Sequence, residues 1–129
     1  MKRPLRSIVL IEDDPDIQEV AKMSLEEVGG FDVIACGSGR EALDTVPRVK
    51  PDLLIIDFMM PGMDGGETLA ALRAQPDIAA IPAIFMTAKV RPEEVGRMRA
   101  MGVVDVIPKP FDPIALPDQV NAIWTRIHG

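Results

Sequence analysis

Short apolar runs, separated by longer stretches in which apolar residues recur every three or four positions, set the plan of this chain. The runs are Ser7 to Ile11, Phe31 to Cys36, Leu53 to Ile56, Pro82 to Met86 and Val103 to Ile107. Brief and largely without alternation, they predict strands buried on both faces, the situation of a parallel sheet. Between the first two, Ile17, Val20, Ala21, Leu25 and Val28 repeat at helical spacing. Asp14 is placed to cap that helix, Pro15 suits its first position, and Gly29-Gly30 is its stop. Ser38-Gly39-Arg40-Glu41 has capping-box spacing and opens a second helix that Pro47 helps to end. A third helix is expected from about Gly66 to Gln75, and a fourth from Pro92 to Met101, interrupted by Gly96. The last helical segment reaches His128. Pro117 would clash there with the carbonyl of Pro113, so an irregular turn is expected from Pro113 to Leu116, with regular helix from near Pro117. Five strands alternating with five helices through short connections make a doubly wound α/β fold with right-handed crossovers.

Composition narrows the function classes. The chain has 129 residues, 47% hydrophobic and 26% charged, with a net charge of −6. That is one domain with a proper core and no basic face for nucleic acid. The basic start, Met1-Lys2-Arg3-Pro4-Leu5-Arg6, precedes an apolar run too short for a signal peptide, and no stretch approaches membrane-spanning length. A lone Cys36 forms no internal disulfide and reads as a small buried hydrophobe. A cytoplasmic, reducing location is expected.

The chemistry sits where strands end. Glu12-Asp13-Asp14 follows the first strand, Asp57 ends the third, Thr87 the fourth, and Lys109 the fifth, between Pro108 and Pro110. A parallel sheet brings these ends to one edge, where open α/β sheets bind ligands. Clustered carboxylates repel unless a cation joins them, and an all-oxygen set suits Mg²⁺ or Mn²⁺. With a lysine to pair with phosphoryl oxygens and a threonine to donate to them, Asp57 is equipped to attack phosphorus in line.

In Ile11-Glu12-Asp13-Asp14, Leu54-Ile55-Ile56-Asp57, Met60-Pro61-Gly62-Met63-Asp64-Gly65, Met86-Thr87-Ala88 and Lys109-Pro110-Phe111, the chain resembles the receiver domain of two-component response regulators, end to end. The resemblance implies a flavodoxin-like sheet in strand order 2-1-3-4-5 and a phosphoacceptor at Asp57. The donor would be a phosphohistidine on a sensor histidine kinase or a histidine phosphotransfer protein. It implies that Asp13 and Asp57 ligate Mg²⁺ directly with the Met59 carbonyl, and that Glu12 acts through a water. Thr87, Ala88 and Lys109 would hold the phosphoryl group, with Lys109–Pro110 cis. The signal would leave by the face of the fourth helix, fifth strand and fifth helix, also a surface for a homodimer. The protein would be a phosphoacceptor that modifies itself, not an enzyme.

Two departures stand out. Where the family often carries an aromatic switch on the fifth strand, this chain has Val106, and nothing resembling an output domain follows the last helix. Residues 1–129 then read as a stand-alone receiver, signalling by protein contact or onward phosphotransfer.

Bland readings compete at several positions. Glu12-Asp13-Asp14 alone is a capping cluster. Met59, Met60 and Met63 read as packing under their loop, with Met59 partly screening the phosphoryl site. His128 reads as solvated. Val95, Arg97, Met98 and Arg99 read as half core, half solvent. Gly96 costs the fourth helix about 1 kcal/mol relative to alanine, either for close packing or to keep that helix soft. Met59 and Lys89 flank the water approach, and a phosphoryl lifetime of minutes or longer is expected. The rival functions fit less well. An aspartyl-phosphate phosphatase wants a second acid where Met59 stands. A flavin module would find its phosphate repelled by Glu12-Asp13-Asp14. A phosphorylation-independent receiver would have no use for the intact acids.

Overall fold

The computed structural model describes residues 3–128. Met1 and Lys2 of the basic start lie outside them. Five parallel strands, β1 (Ser7–Ile11), β2 (Asp32–Cys36), β3 (Leu53–Asp57), β4 (Ala83–Thr87) and β5 (Asp105–Pro108), stand in the order β2-β1-β3-β4-β5. The helices are α1 (Pro15–Met23), α2 (Gly39–Val49), α3 (Gly65–Arg73), α4 (Pro92–Ala100) and α5 (Leu116–His128). Doubly wound α/β, expected from the apolar periodicity, is therefore the architecture.

Period-two alternation sends each central strand's side chains to two separate cores. Ile8, Leu10, Leu53, Ile55, Ile84 and Ile107 face Ala21 and Leu25 of the first helical segment and Leu116, Val120 and Trp124 of α5. Val9, Ile11, Leu54, Ile56 and Phe85 face Ala42, Val46, Leu69, Leu72 and Met98 of α2, α3 and α4. Every residue of β3 and β4 is buried, as strands covered on both faces must be. The sheet order places the C-terminal ends of β1, β3, β4 and β5 side by side.

The first helix differs from expectation. Regular α-helix stops at Met23, and Ser24–Val28 winds as one π-helical turn. The Ser24 hydroxyl donates to the Pro113 carbonyl. The wider turn buries Ser24 and Leu25 together and leaves Val28 53% exposed, so Val28 is not core. Val20 is also largely exposed.

Pro47 does not end α2. It sits inside the last turn, where only one helical hydrogen bond is lost, and the helix stops at Lys50, whose φ is +47°. Of the anticipated capping box, one half forms. Ser38 Oγ accepts from Glu41 N at 3.1 Å, while the Glu41 carboxylate reaches Gly37 N at 3.5 Å instead.

Other expectations hold with small shifts. Helix α3 begins one residue before the expected Gly66 and stops two residues short of Gln75. The turn before α5 is irregular. Ala115 N and Leu116 N both donate to the Asp112 carbonyl, and Pro117 occupies the second helical position. His128 is exposed, as expected, but it is not without a partner. Its ring lies 3.8 Å from the Trp124 ring, and its Nδ1 is 2.9 Å from the Trp124 carbonyl. Cys36 is buried.

Helix α4 buries Met98, half-buries Val95 and exposes Arg97 and Arg99, so it is half core and half solvent. A Cβ added to Gly96 would meet nothing within 4 Å, which removes close packing as the reason for that glycine. At the start of β5, Asp105 receives Arg99 of α4 at 2.8 Å on one oxygen and Arg126 of α5 at 3.1 Å on the other.

Candidate functional site

Glu12 is the first residue past β1, and it is fixed by three hydrogen bonds, two to its backbone and one to its side chain. Its N–H donates to the Cys36 carbonyl of β2 at 3.0 Å, and its own carbonyl accepts from Gln18 Nε2 at 2.8 Å. Its carboxylate accepts from Asp14 N at 3.1 Å. Asp14 turns away from the site: its side chain accepts from Asp16 N and Ile17 N and caps α1. The acidic triplet thus divides its labour, with Asp14 holding the helix and Glu12 and Asp13 facing the sheet edge.

Asp57 closes β3 and is 4% exposed. The chain leaves it through Phe58, whose N–H donates to Met86 O at 3.0 Å and whose carbonyl accepts from Gly65 N at 2.9 Å. A Cβ on Gly65 would stand 2.8 Å from the Asp57 carbonyl and 2.7 Å from Phe58 Cα. Only glycine lets the loop return so closely. Asp64 and Glu67 then form a complete capping box on α3, a device whose spacing is plain in the sequence.

One lysine joins the acids. Lys109 Nζ lies 2.6 Å from Glu12 Oε1 and 3.2 Å from Asp57 Oδ1. Its backbone N–H donates to Thr87 O at 2.9 Å, and the Lys109–Pro110 peptide is cis, as expected. Thr87 is fully buried and its Oγ1 accepts from Lys89 N at 3.0 Å. Ala88 is exposed at the rim. Met59 N donates to Asp57 Oδ1 at 3.3 Å, but the Met59 side chain is 53% exposed rather than packed under the loop. Met60 is buried and Met63 packs against Gly39. Val106 is half-buried, paired in register with Phe85.

Burial, then the adjacent Glu12 carboxylate, pushes the Asp57 carboxyl up to about 7, against the lowering pull of Lys109. Burial works to lower the Lys109 ammonium, but Glu12 and Asp57 outweigh it and the net shift is upward. The imbalance is chemical: one ammonium serves several acids. Glu12, Asp13 and Asp57 each offer an oxygen within 4.8 Å of the others. An all-oxygen, net-negative set at a sheet edge fits a hard divalent cation.

The chain matches the response regulator receiver domain family over residues 8–121. It belongs to that family. The chemotaxis response regulator CheY4 of Vibrio cholerae superposes with a TM-score of 0.85 at 27% identity, covering 92% of this chain and 98% of that one. A response regulator from Chloroflexus aurantiacus gives 0.84 at 29%, covering 96% and 100%. In sequence, the probable C4-dicarboxylate response regulator DctR of Priestia megaterium is 41% identical over 86% of this chain and 48% of its own length. The DNA-binding response regulator MtrA of Mycolicibacterium smegmatis is 35% identical over 92% of this chain and 50% of its own. The chain therefore spans about half the length of these two regulators. The chain is a receiver domain of a two-component system, and its Glu12/Asp13/Asp57 cluster, with Glu12 and Asp57 buried and Asp13 half-buried, fits a phosphoacceptor site. No helix among the described residues is long and apolar enough to cross a membrane.

Proposed function

We propose that the domain is a Mg²⁺-dependent phosphoacceptor modified at Asp57. The observation that carries this reading is the pairing of Lys109 Nζ with both Glu12 and Asp57 beside Asp13. Asp57 Oδ1 already takes Lys109 and the Met59 amide, so Oδ2 is the attacking oxygen. It forms the new O–P bond as the P–N bond to a donor phosphohistidine breaks, and the released imidazole nitrogen takes up a proton. Lys109 and the Thr87 hydroxyl, with the Ala88 amide, stabilise charge on the transferred group.

Asp13, Asp57 and the Met59 carbonyl would hold Mg²⁺, or Mn²⁺, with Glu12 acting through water; the ion supplies charge neutralisation at phosphorus. The donor is a sensor histidine kinase or a histidine phosphotransfer protein. The domain is cytoplasmic, turns over only its own phosphate, and is not an enzyme in the ordinary sense. Its output leaves through the α4–β5–α5 face, to a downstream protein or a second copy.

The test is incubation with Mg²⁺ and acetyl phosphate followed by intact-mass measurement. One added phosphate is expected, lost on Asp57→Asn or on chelation of the metal. Unchanged mass with small donors and with histidine kinases would overturn the reading.

A further inference from the structure

Resting on that reading, a second question is how modification of Asp57 is felt elsewhere when β5 carries Val106 instead of an aromatic ring. The aromatic residue next to the acceptor is Phe58. Its ring is half-buried, tilted 60° against the fully buried Phe85 at 5.1 Å between centroids. Phe85 is in turn the register partner of Val106. On another side, Gly66 and Met101 confine Phe58. A Cβ on Gly66 would lie 3.6 Å from the ring and 3.2 Å from the Met101 sulfur.

The remaining direction opens into a cleft of about 150 Å³ beneath α4, lined by Phe58, Lys89, Glu94, Arg97, Met98 and Met101. A volume of that order accepts one benzene ring. Both its site-facing walls are set by groups at the phosphoacceptor. Phe58 follows Asp57 directly. Lys89 is held by its N–H to Thr87 Oγ1, a contact that changes when the hydroxyl turns to a phosphoryl oxygen. Its opposite wall is α4 itself, whose Gly96 stands in open space and keeps the helix easy to deform.

We infer that Phe58 carries the signal from Asp57 to α4, its ring moving into the cleft under Met98 when Asp57 is phosphorylated. The coupling is then a packing event on the α3 side of α4, not a rotation on β5. A filled cleft presses on Met98 and the second half of the helix, while an unfilled one leaves them free.

The experiment uses the full chain labelled with fluorophenylalanine, in Mg²⁺ with and without acetyl phosphate. Mass reports phosphorylation, ¹⁹F spectra report the rings, and amide exchange reports α4. The Phe58 resonance, assigned by its loss in Phe58→Leu, is expected to shift on phosphorylation. Phe31, just before β2, is expected to stay. Exchange across residues 92–100 is expected to change several-fold in the parent chain and in Val106→Ala, and by less than half as much in Phe58→Leu, with all three chains phosphorylated. A Phe58 resonance that does not move, or an α4 response undiminished in Phe58→Leu, overturns the inference while the mass gain leaves the phosphoacceptor reading standing. No mass gain overturns both.

Discussion

Lys109 and Glu12, 97 positions apart in the chain, meet with Nζ 2.6 Å from Oε1 in a pocket where Glu12 is 2% exposed. The same ammonium touches Asp57, so removing it leaves buried carboxylates facing one another. Lys109→Met is expected to slow phosphate incorporation from acetyl phosphate by about 10²–10³-fold, the usual loss for one electrostatic stabiliser. Lys109→Arg is expected to rescue little, because a planar fork does not replace a point charge seated between two acids. Initial rates from quenched mass spectra decide both.

The raised Asp57 carboxyl makes a signed prediction. Its folded pKa, about 7, lies above its ordinary 3.8. Between those values the folded state holds more protons than the unfolded one, so stability falls as pH rises through that window and levels off above it. Thermal melts of the metal-free protein are expected to show a falling Tm from about pH 4 to pH 7, with the slope reduced in Asp57→Asn. Apparent Mg²⁺ affinity is expected to climb with pH, by up to about tenfold per unit, and to plateau above 7, because binding displaces the proton. A flat titration would contradict the assignment.

Neighbouring acids in one triplet are expected to fail differently. Asp14→Ala removes a helix cap and is expected to cost about 1 kcal/mol of stability with little effect on metal affinity. Asp13→Asn is expected to weaken Mg²⁺ binding at least tenfold while the melting temperature of the metal-free protein holds or rises. Calorimetric titration alongside thermal melts separates the two.

Gly96→Ala is expected to stabilise the domain by about 0.5–1 kcal/mol, since the added methyl meets nothing and the helix gains a better former. If α4 must yield during signalling, the same change is expected to reduce the phosphorylation-dependent exchange there. Denaturant midpoints and exchange rates measure each half.

What the sequence revealed, and what it hid, follows from the range of the forces involved. The strands were legible because burial on both faces leaves short, unbroken apolar runs, and the site was legible because a parallel sheet converts strand ends into neighbours. Asp14, Pro15 and Gly29-Gly30 marked a helix, yet the π-helical turn at Ser24 could not be read. It depends on Pro113, 89 residues away. Pro47 looked like a stop because its cost was visible, whereas the packing of Ala42 and Val46 that carries the helix past it was not. Met59 looked like packing because it stands beside Met60; only the loop's path, closed by Gly65 on Phe58, turns one methionine outward and the other in. Gln18, which steadies Glu12 through its carbonyl, carries no local signal.

Asp105 has a mechanical consequence. Arg99 and Arg126 hold its two oxygens from opposite helices, and exposed pairs of this kind are worth at most about 1 kcal/mol each. The carboxylate is therefore a shared and easily broken tie between α4 and α5: either arginine can let go at a cost of no more than about 1 kcal/mol while the other stays bound.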